Sequence, residues 1–145
     1  MSTPRALKVY VASSWRNLRQ PSVVAALRSE GHAVYDFRNP GHGERGFNWS
    51  YIDPMWRAWN PSQYRAALQH PIAAHGFRLD MEALRSADAT VLVLPCGRSA
   101  HLELGYAAAV GQKTFVLCDE TLDEPELMYL MNTAVCLTIP ELVRA

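Results

Sequence analysis

The sequence has no excess of charge of either sign: fourteen lysines and arginines balance fourteen aspartates and glutamates, for a formal net charge of zero at pH 7. Sequence-independent binding to nucleic acid or to an anionic membrane surface needs a basic excess or a basic stripe, so neither partner is expected. A local basic pocket is still allowed. Cysteine is scarce, and Cys96, Cys118 and Cys136 are odd in number, far apart and set in apolar runs. No CxxC or Cys/His spacing occurs, which argues against a disulfide framework and a metal centre; these cysteines read as small core hydrophobes in a reduced chain. There is also no apolar run near twenty residues and no charged-then-apolar leader, so membrane spanning and secretion are not expected and a cytoplasmic location is. No cofactor is expected. Zero net charge leaves self-association unopposed, and a homo-oligomer is the expected state.

What is present is a chain of 145 residues, 49% hydrophobic, the size of one domain with a substantial core. Lys8-Val9-Tyr10-Val11-Ala12 is a short β-branched run that stops at Ser13-Ser14, a strand followed by a polar loop. Pro21 opens a helical pattern through Val23, Val24, Leu27 and Arg28, and Gly31 closes it. Val34-Tyr35-Asp36-Phe37 is a second strand, which completes a βαβ unit and implies a parallel crossover. Asn60-Pro61-Ser62 starts a helix that runs to about Gln69, before His70-Pro71 stops it. Gly76 precedes another helix over residues 77–86, with Leu79, Ala83 and Leu84 facing inward. Residues 89–94 are apolar on both faces, as a central parallel strand covered by helices should be. A helix over 99–110 ends at Gly111; strands come next at 114–117 and 134–138, with a helix around 126–131 between them. Five strands alternating with helices predict a three-layer α/β sandwich.

Residues 38–60 break this rhythm. Asn39-Pro40-Gly41, Gly43, Gly46 and Asp53-Pro54 interrupt a stretch that carries Phe47, Trp49, Tyr51, Trp56 and Trp59. Long loops in compact domains tend to be lids or binding loops. Trp49 and Trp56 can stack on a base, because every base offers a π face; they can equally pin the loop to the body or form a subunit contact.

Ligands of open parallel sheets bind beyond the carboxyl ends of the strands, where strand order reverses. Two loops leave central strands there. One holds Ser13, Ser14, Trp15, Arg16 and Asn17; the other holds Gly97, Arg98, Ser99, Ala100 and His101 and leads directly into a helix. Ser99 is placed to cap that helix, Gly97 permits a tight turn, and the free N–H groups suit an anion such as a phosphate. Arg98 and His101 add charge or donors. Glu103, read in the first helical turn, would by default only complement the helix dipole. Asp80, on the preceding helix, could equally be a solvated charge. Of five histidines, His70 and His75 lie five apart across a proline and share no helix face, so no metal site is expected.

Several segments taken together carry a resemblance: Val9-Tyr10-Val11-Ala12-Ser13, Asp80-Met81-Glu82-Ala83-Leu84-Arg85-Ser86-Ala87-Asp88, Val91-Leu92-Val93-Leu94, Glu103-Leu104-Gly105-Tyr106-Ala107 and Gly111-Gln112-Lys113-Thr114. The sequence resembles the nucleoside 2-deoxyribosyltransferase family, whose relatives include the 2'-deoxynucleoside 5'-phosphate N-hydrolases. The resemblance covers the first strand and about 77–117, with Glu-Leu-Gly-Tyr-Ala its most specific part. It implies one flavodoxin-like domain over 1–145 with a five-stranded parallel sheet and an aromatic-rich insertion at about 38–60. It further implies a glutamate nucleophile at Glu103, an aspartate at Asp80 that binds or protonates the base, and a tyrosine, Tyr10, that orients the nucleophile. The polar loop before Glu103 would then take a 5'-phosphate or another anionic group. The small-molecule partner implied is a nucleoside or nucleotide. A non-catalytic nucleotide-derivative sensor and an NAD-cleaving glycohydrolase on the same scaffold stay open.

Overall fold

In a computed structural model of the chain, which describes residues 6–145, the apolar run after Leu7 forms β1 (Lys8–Ala12). Alternation along β1 divides the interior in two. Val9 and Val11 enter one core with Val23, Val24 and Leu27, whereas Tyr10 and Ala12 enter the opposite one with Leu84, Leu92, Leu104 and Val116. The remaining strands are β2 (Ala33–Asp36), β3 (Ala89–Val93), β4 (Lys113–Leu117) and β5 (Ala134–Cys136). They form a single sheet in the order β2-β1-β3-β4-β5, every pair parallel.

The helices α1 (Gln20–Ser29) and α5 (Ile139–Arg144) bury Val23, Val24, Leu27 and Leu142 against the face that holds Val9 and Val11. The helices α3 (Pro71–Ser86) and α4 (Arg98–Ala109) cover the face that holds Tyr10. A short α2 (Pro61–Ala67) is closed by a capping box between Asn60 and Gln63. Every residue of β3 is buried, because helices cover it on both sides and strands flank it. Burying each such aliphatic side chain is worth about 1.5–3 kcal/mol. The one polar side chain in β3, Thr90, donates to Gln112 Oε1 at 2.8 Å and so leaves no orphan. The fold is the expected flavodoxin-like α/β sandwich with a five-stranded parallel sheet.

Several element boundaries differ from expectation. The helix expected to start after Gly76 begins at Pro71, capped by His70, whose Nδ1 accepts from Ile72 N at 3.1 Å. Gly76 lies inside it because Phe47 packs there: an added Cβ would sit 3.0 Å from Phe47 Cβ. The cap of α4 is the backbone of Gly97, extended and without a side-chain cap, so Ser99 is the second helical residue and not the cap. Glu103 therefore falls in the second turn, beyond the reach of the dipole role read for a first-turn glutamate. The expected strand 134–138 ends at Cys136, since Thr138 turns to cap α5 by accepting from Glu141 N at 3.1 Å. At six residues, α5 is too short for its apolar period to register in the sequence.

The segment 38–60 folds on itself. Single 3-10 turns occupy Trp49–Tyr51 and Trp56–Ala58, and Asp53 accepts from Met55 N at 2.9 Å and Trp59 Nε1 at 2.8 Å. Trp49 meets Phe47, Trp59 and Tyr64 edge to face, with centroids 4.8, 5.7 and 6.1 Å away. Phe47 over Gly76 and Glu44 Oε2 beside His75 Nε2 at 3.0 Å fasten the segment to α3.

Candidate active site

From β1 the sheet grows to one side through β2 and to the other through β3, so strand order reverses at β1. The loops leaving β1 and β3 part there and open a cleft of about 450 Å³. The first loop contributes Ser13, Ser14, Trp15 and Arg16; the second contributes Gly97, Arg98, Ser99 and Ala100. Tyr10, Asp80 and Glu103 also line the cleft, and Phe37, directly after β2, and Phe47, Asn48 and Trp49, from the 38–60 segment, complete the wall.

Two carboxylates in this cleft are each held by a tyrosine. The Tyr10 hydroxyl donates to Glu103 Oε2. That contact results from the strand alternation, which buries Tyr10 to 1% exposure on the side where α4 packs. Burial pushes the Glu103 carboxyl up to about 7, so it changes charge near neutral pH. Tyr35, on β2, donates to Asp80 Oδ1 at 2.9 Å. Burial raises the Asp80 pKa above the ordinary aspartate value, and the Tyr35 hydrogen bond opposes that rise. The Tyr35 phenol is itself pushed up, first by burial and then by the Asp80 charge. The rings of Tyr10 and Tyr35 stack, centroids 5.3 Å apart and planes at 13°.

The loops are tied by Ser13 and Asn17, whose bracing role sequence reasoning missed, and by Arg38, which it did not single out. Asn17 is buried; its Nδ2 donates to Val93 O at 3.1 Å and Pro95 O at 2.9 Å, while its Oδ1 accepts from Arg19 N and Gln20 N. Ser13 Oγ donates to Val93 O at 2.9 Å, which joins the first loop to the end of β3. Arg38 gathers three carbonyls of that loop, those of Ser14, Trp15 and Asn17, at 2.7–2.8 Å. Trp15 is thereby held edge-on to Phe37 and closely over Gly46, where a Cβ would fall 2.2 Å from the indole. Gly46 is required for that contact. Arg16 and Arg98 are exposed, and neither guanidinium is engaged by another described residue.

Two residues expected at the site lie elsewhere. His101 turns away from the cleft: its Nδ1 is 2.8 Å from Gly97 O, its Nε2 is 2.8 Å from the Tyr129 hydroxyl, and the two rings stack at 5.8 Å. The Gly97 carbonyl can only accept, so Nδ1 carries a hydrogen and donates to it. His101 thus braces the second loop from behind. Trp56 lies under Arg57, 4.4 Å from guanidinium to ring centroid, and does not line the cleft. Cys96, pushed up to about 12 by burial, is a thiol and not a nucleophilic thiolate at neutral pH. Among the described residues no three histidine, cysteine, aspartate or glutamate side chains converge as metal ligands. What converges instead is two half-buried carboxyl groups, two guanidinium groups without a described partner and an aromatic wall.

No protein-family model matches the sequence, and no curated protein matches it significantly. Solved structures do match. A 2-deoxyribosyltransferase of Bacillus psychrosaccharolyticus superposes with a TM-score of 0.65 at 19% identity, over 94% of this chain and 90% of that one. The CMP N-glycosidase BcmB of Clostridium botulinum gives 0.51 at 16% identity, over 94% and 95%. The likeness covers nearly the whole of each chain, and at these identities it is a likeness of architecture: the protein has the fold of a 2-deoxyribosyltransferase.

Proposed function

We propose that the protein breaks the N-glycosidic bond of a nucleoside or nucleotide and passes the sugar to water or to a second base. The observation that carries this reading is the pair of tyrosine-held carboxyl groups, Glu103 with Tyr10 and Asp80 with Tyr35, facing one cleft. Departure of a base from a sugar goes through an oxocarbenium-like state, which a nearby carboxylate stabilises or traps. Tyr10 occupies Glu103 Oε2, so Oε1 is the oxygen that attacks the anomeric carbon. As that bond forms, the C–N bond breaks, its electron pair goes to the base nitrogen, and Asp80 supplies a proton to the base. Water or a second base then displaces Glu103 from the sugar and gives up its proton to the Asp80 carboxylate, which restores both acids. With a pKa of about 7, Glu103 is partly ionised at neutral pH, as attack requires.

Arg16, Arg98 and the free N–H groups at the start of α4 hold an anionic group of the substrate, and Trp15 and Trp49 flank the base. The same fold in a 2-deoxyribosyltransferase and in a CMP N-glycosidase supports this chemistry. A homo-oligomer is part of the reading, supported by exposed Leu102, Leu127 and Leu130. The test is incubation with a panel of nucleosides, 5'-nucleotides and NAD, with and without an acceptor base, and chromatographic detection of free or exchanged base. Release or exchange from a nucleoside or nucleotide supports the reading, and release from NAD alone would replace it with NAD cleavage. No base released from any member contradicts it.

A further inference from the structure

The two oxygens of Asp80 are not equivalent. Oδ1 accepts the Tyr35 hydroxyl hydrogen at 2.9 Å, whereas Oδ2 accepts from no described residue, and Asp80 lines the cleft. Tyr35 is not free to leave. It pairs with Tyr10 in the β2–β1 register, and the two rings stack at 5.3 Å. The geometry points to Tyr35 as a positioning residue: by occupying Oδ1 it leaves Oδ2 as the one oxygen of Asp80 able to exchange a proton with a bound base. This rests on Asp80 serving the base side of the scissile bond.

A phenol whose pKa is raised by burial and by the neighbouring charges of Asp80, Asp36 and Glu44 keeps its proton at neutral pH and remains a donor. A proton taken up by Asp80 must then sit on the oxygen that is not receiving the Tyr35 hydrogen. Without Tyr35, the carboxyl torsion is broad and nearly two-fold, so the proton would be shared between the two oxygens and between orientations. Glu103 is served by a different hydroxyl, that of Tyr10, so each carboxyl group has one oxygen fixed.

Tyr35→Phe removes the hydroxyl and keeps the ring and its stack; a melting curve close to that of the parent confirms the fold. In the substrate-free protein, a carbon-13 titration of the Asp80 carboxyl should move upward in Tyr35→Phe, because a hydrogen bond that favours the charged form has gone. On a substrate that the parent cleaves, kcat should fall by about tenfold to a hundredfold with KM little changed. In an Asp80→Asn background the same replacement should cost nothing further. An unmoved Asp80 titration, or losses that simply multiply in the double variant, would overturn the assignment. If the parent released no base at all, the N-glycosidic reading would fall, while the titration would still decide whether Tyr35 holds Asp80.

Discussion

Tyr10 and Tyr35 lie side by side on adjacent strands, rings 5.3 Å apart and 13° from parallel, and their hydroxyls serve different carboxyl groups. The parallel pairing of β1 with β2 places their Cα atoms opposite each other, so one register contact sets the spacing of both acids. A slip of one residue would turn Tyr35 to the other face of the sheet and leave Asp80 without its donor. The site thus depends on sheet register as well as on loop conformation.

Glu103 should destabilise the protein at alkaline pH. Its carboxyl is raised from 4.5 to about 7 by burial, so the folded state binds its proton more tightly than the unfolded chain does. Stability from this group is complete below pH 4.5 and lost as pH rises through 7. The cost above pH 7 is on the order of 3 kcal/mol. Glu103→Gln carries no such charge. Thermal melts should show the variant more stable than the parent at pH 8 by at least about 5 °C, with a much smaller difference at pH 5. Equal differences at the two pH values would contradict the burial account.

Two of the three tryptophans in residues 38–60, Trp49 and Trp56, should separate cleanly. Trp49 lines the cleft and Trp56 does not. Loss of stacking on a base costs about 1–3 kcal/mol. Trp49→Ala should therefore weaken substrate binding by about tenfold to a hundredfold, whereas Trp56→Ala should leave it unchanged. Calorimetric titration of both variants checks this. Equal effects from the two would mean that residues 38–60 act as a single structural plug.

Arg98 should discriminate a phosphorylated ligand from its nucleoside. Its guanidinium is exposed at the start of α4 with no described partner, and hydrogen bonds to a charged group are worth about 1.5–3 kcal/mol. A 5'-nucleotide should bind the parent at least about tenfold more tightly than the matching nucleoside, and Arg98→Ala should erase most of that gap. Equal affinities in the parent would remove the anion site.

Much of this arrangement was legible in the sequence, and the rest was hidden for definite reasons. The central strand announced itself because helices on both faces force residues 89–93 to be apolar almost throughout. Tyr10 and Glu103 were legible through resemblance, and Asp80 through its place in the same segments. Tyr35 was not, because its role emerges only once β2 is set in register beside β1. Asn17 and Arg38 were missed as loop ties because their partners are backbone carbonyls, which the sequence does not display. His101 looked like a ligand-facing donor because it ends the polar loop; as the fourth residue of α4 it instead points back to Gly97 and across to Tyr129. Gly76 looked like a helix boundary because glycine usually is one, and only the approach of Phe47 explains it inside a helix.

The most direct test of the central claim is the turnover of Glu103→Gln on a substrate that the parent cleaves, with chromatography of the released base. The amide is nearly isosteric and still accepts from Tyr10, so circular dichroism should match the parent. Base release should fall by at least about a thousandfold, because the attacking carboxylate is gone while the binding groups remain. Turnover within a few fold of the parent would contradict the assignment of Glu103 as nucleophile, and with it the mechanism proposed for this cleft.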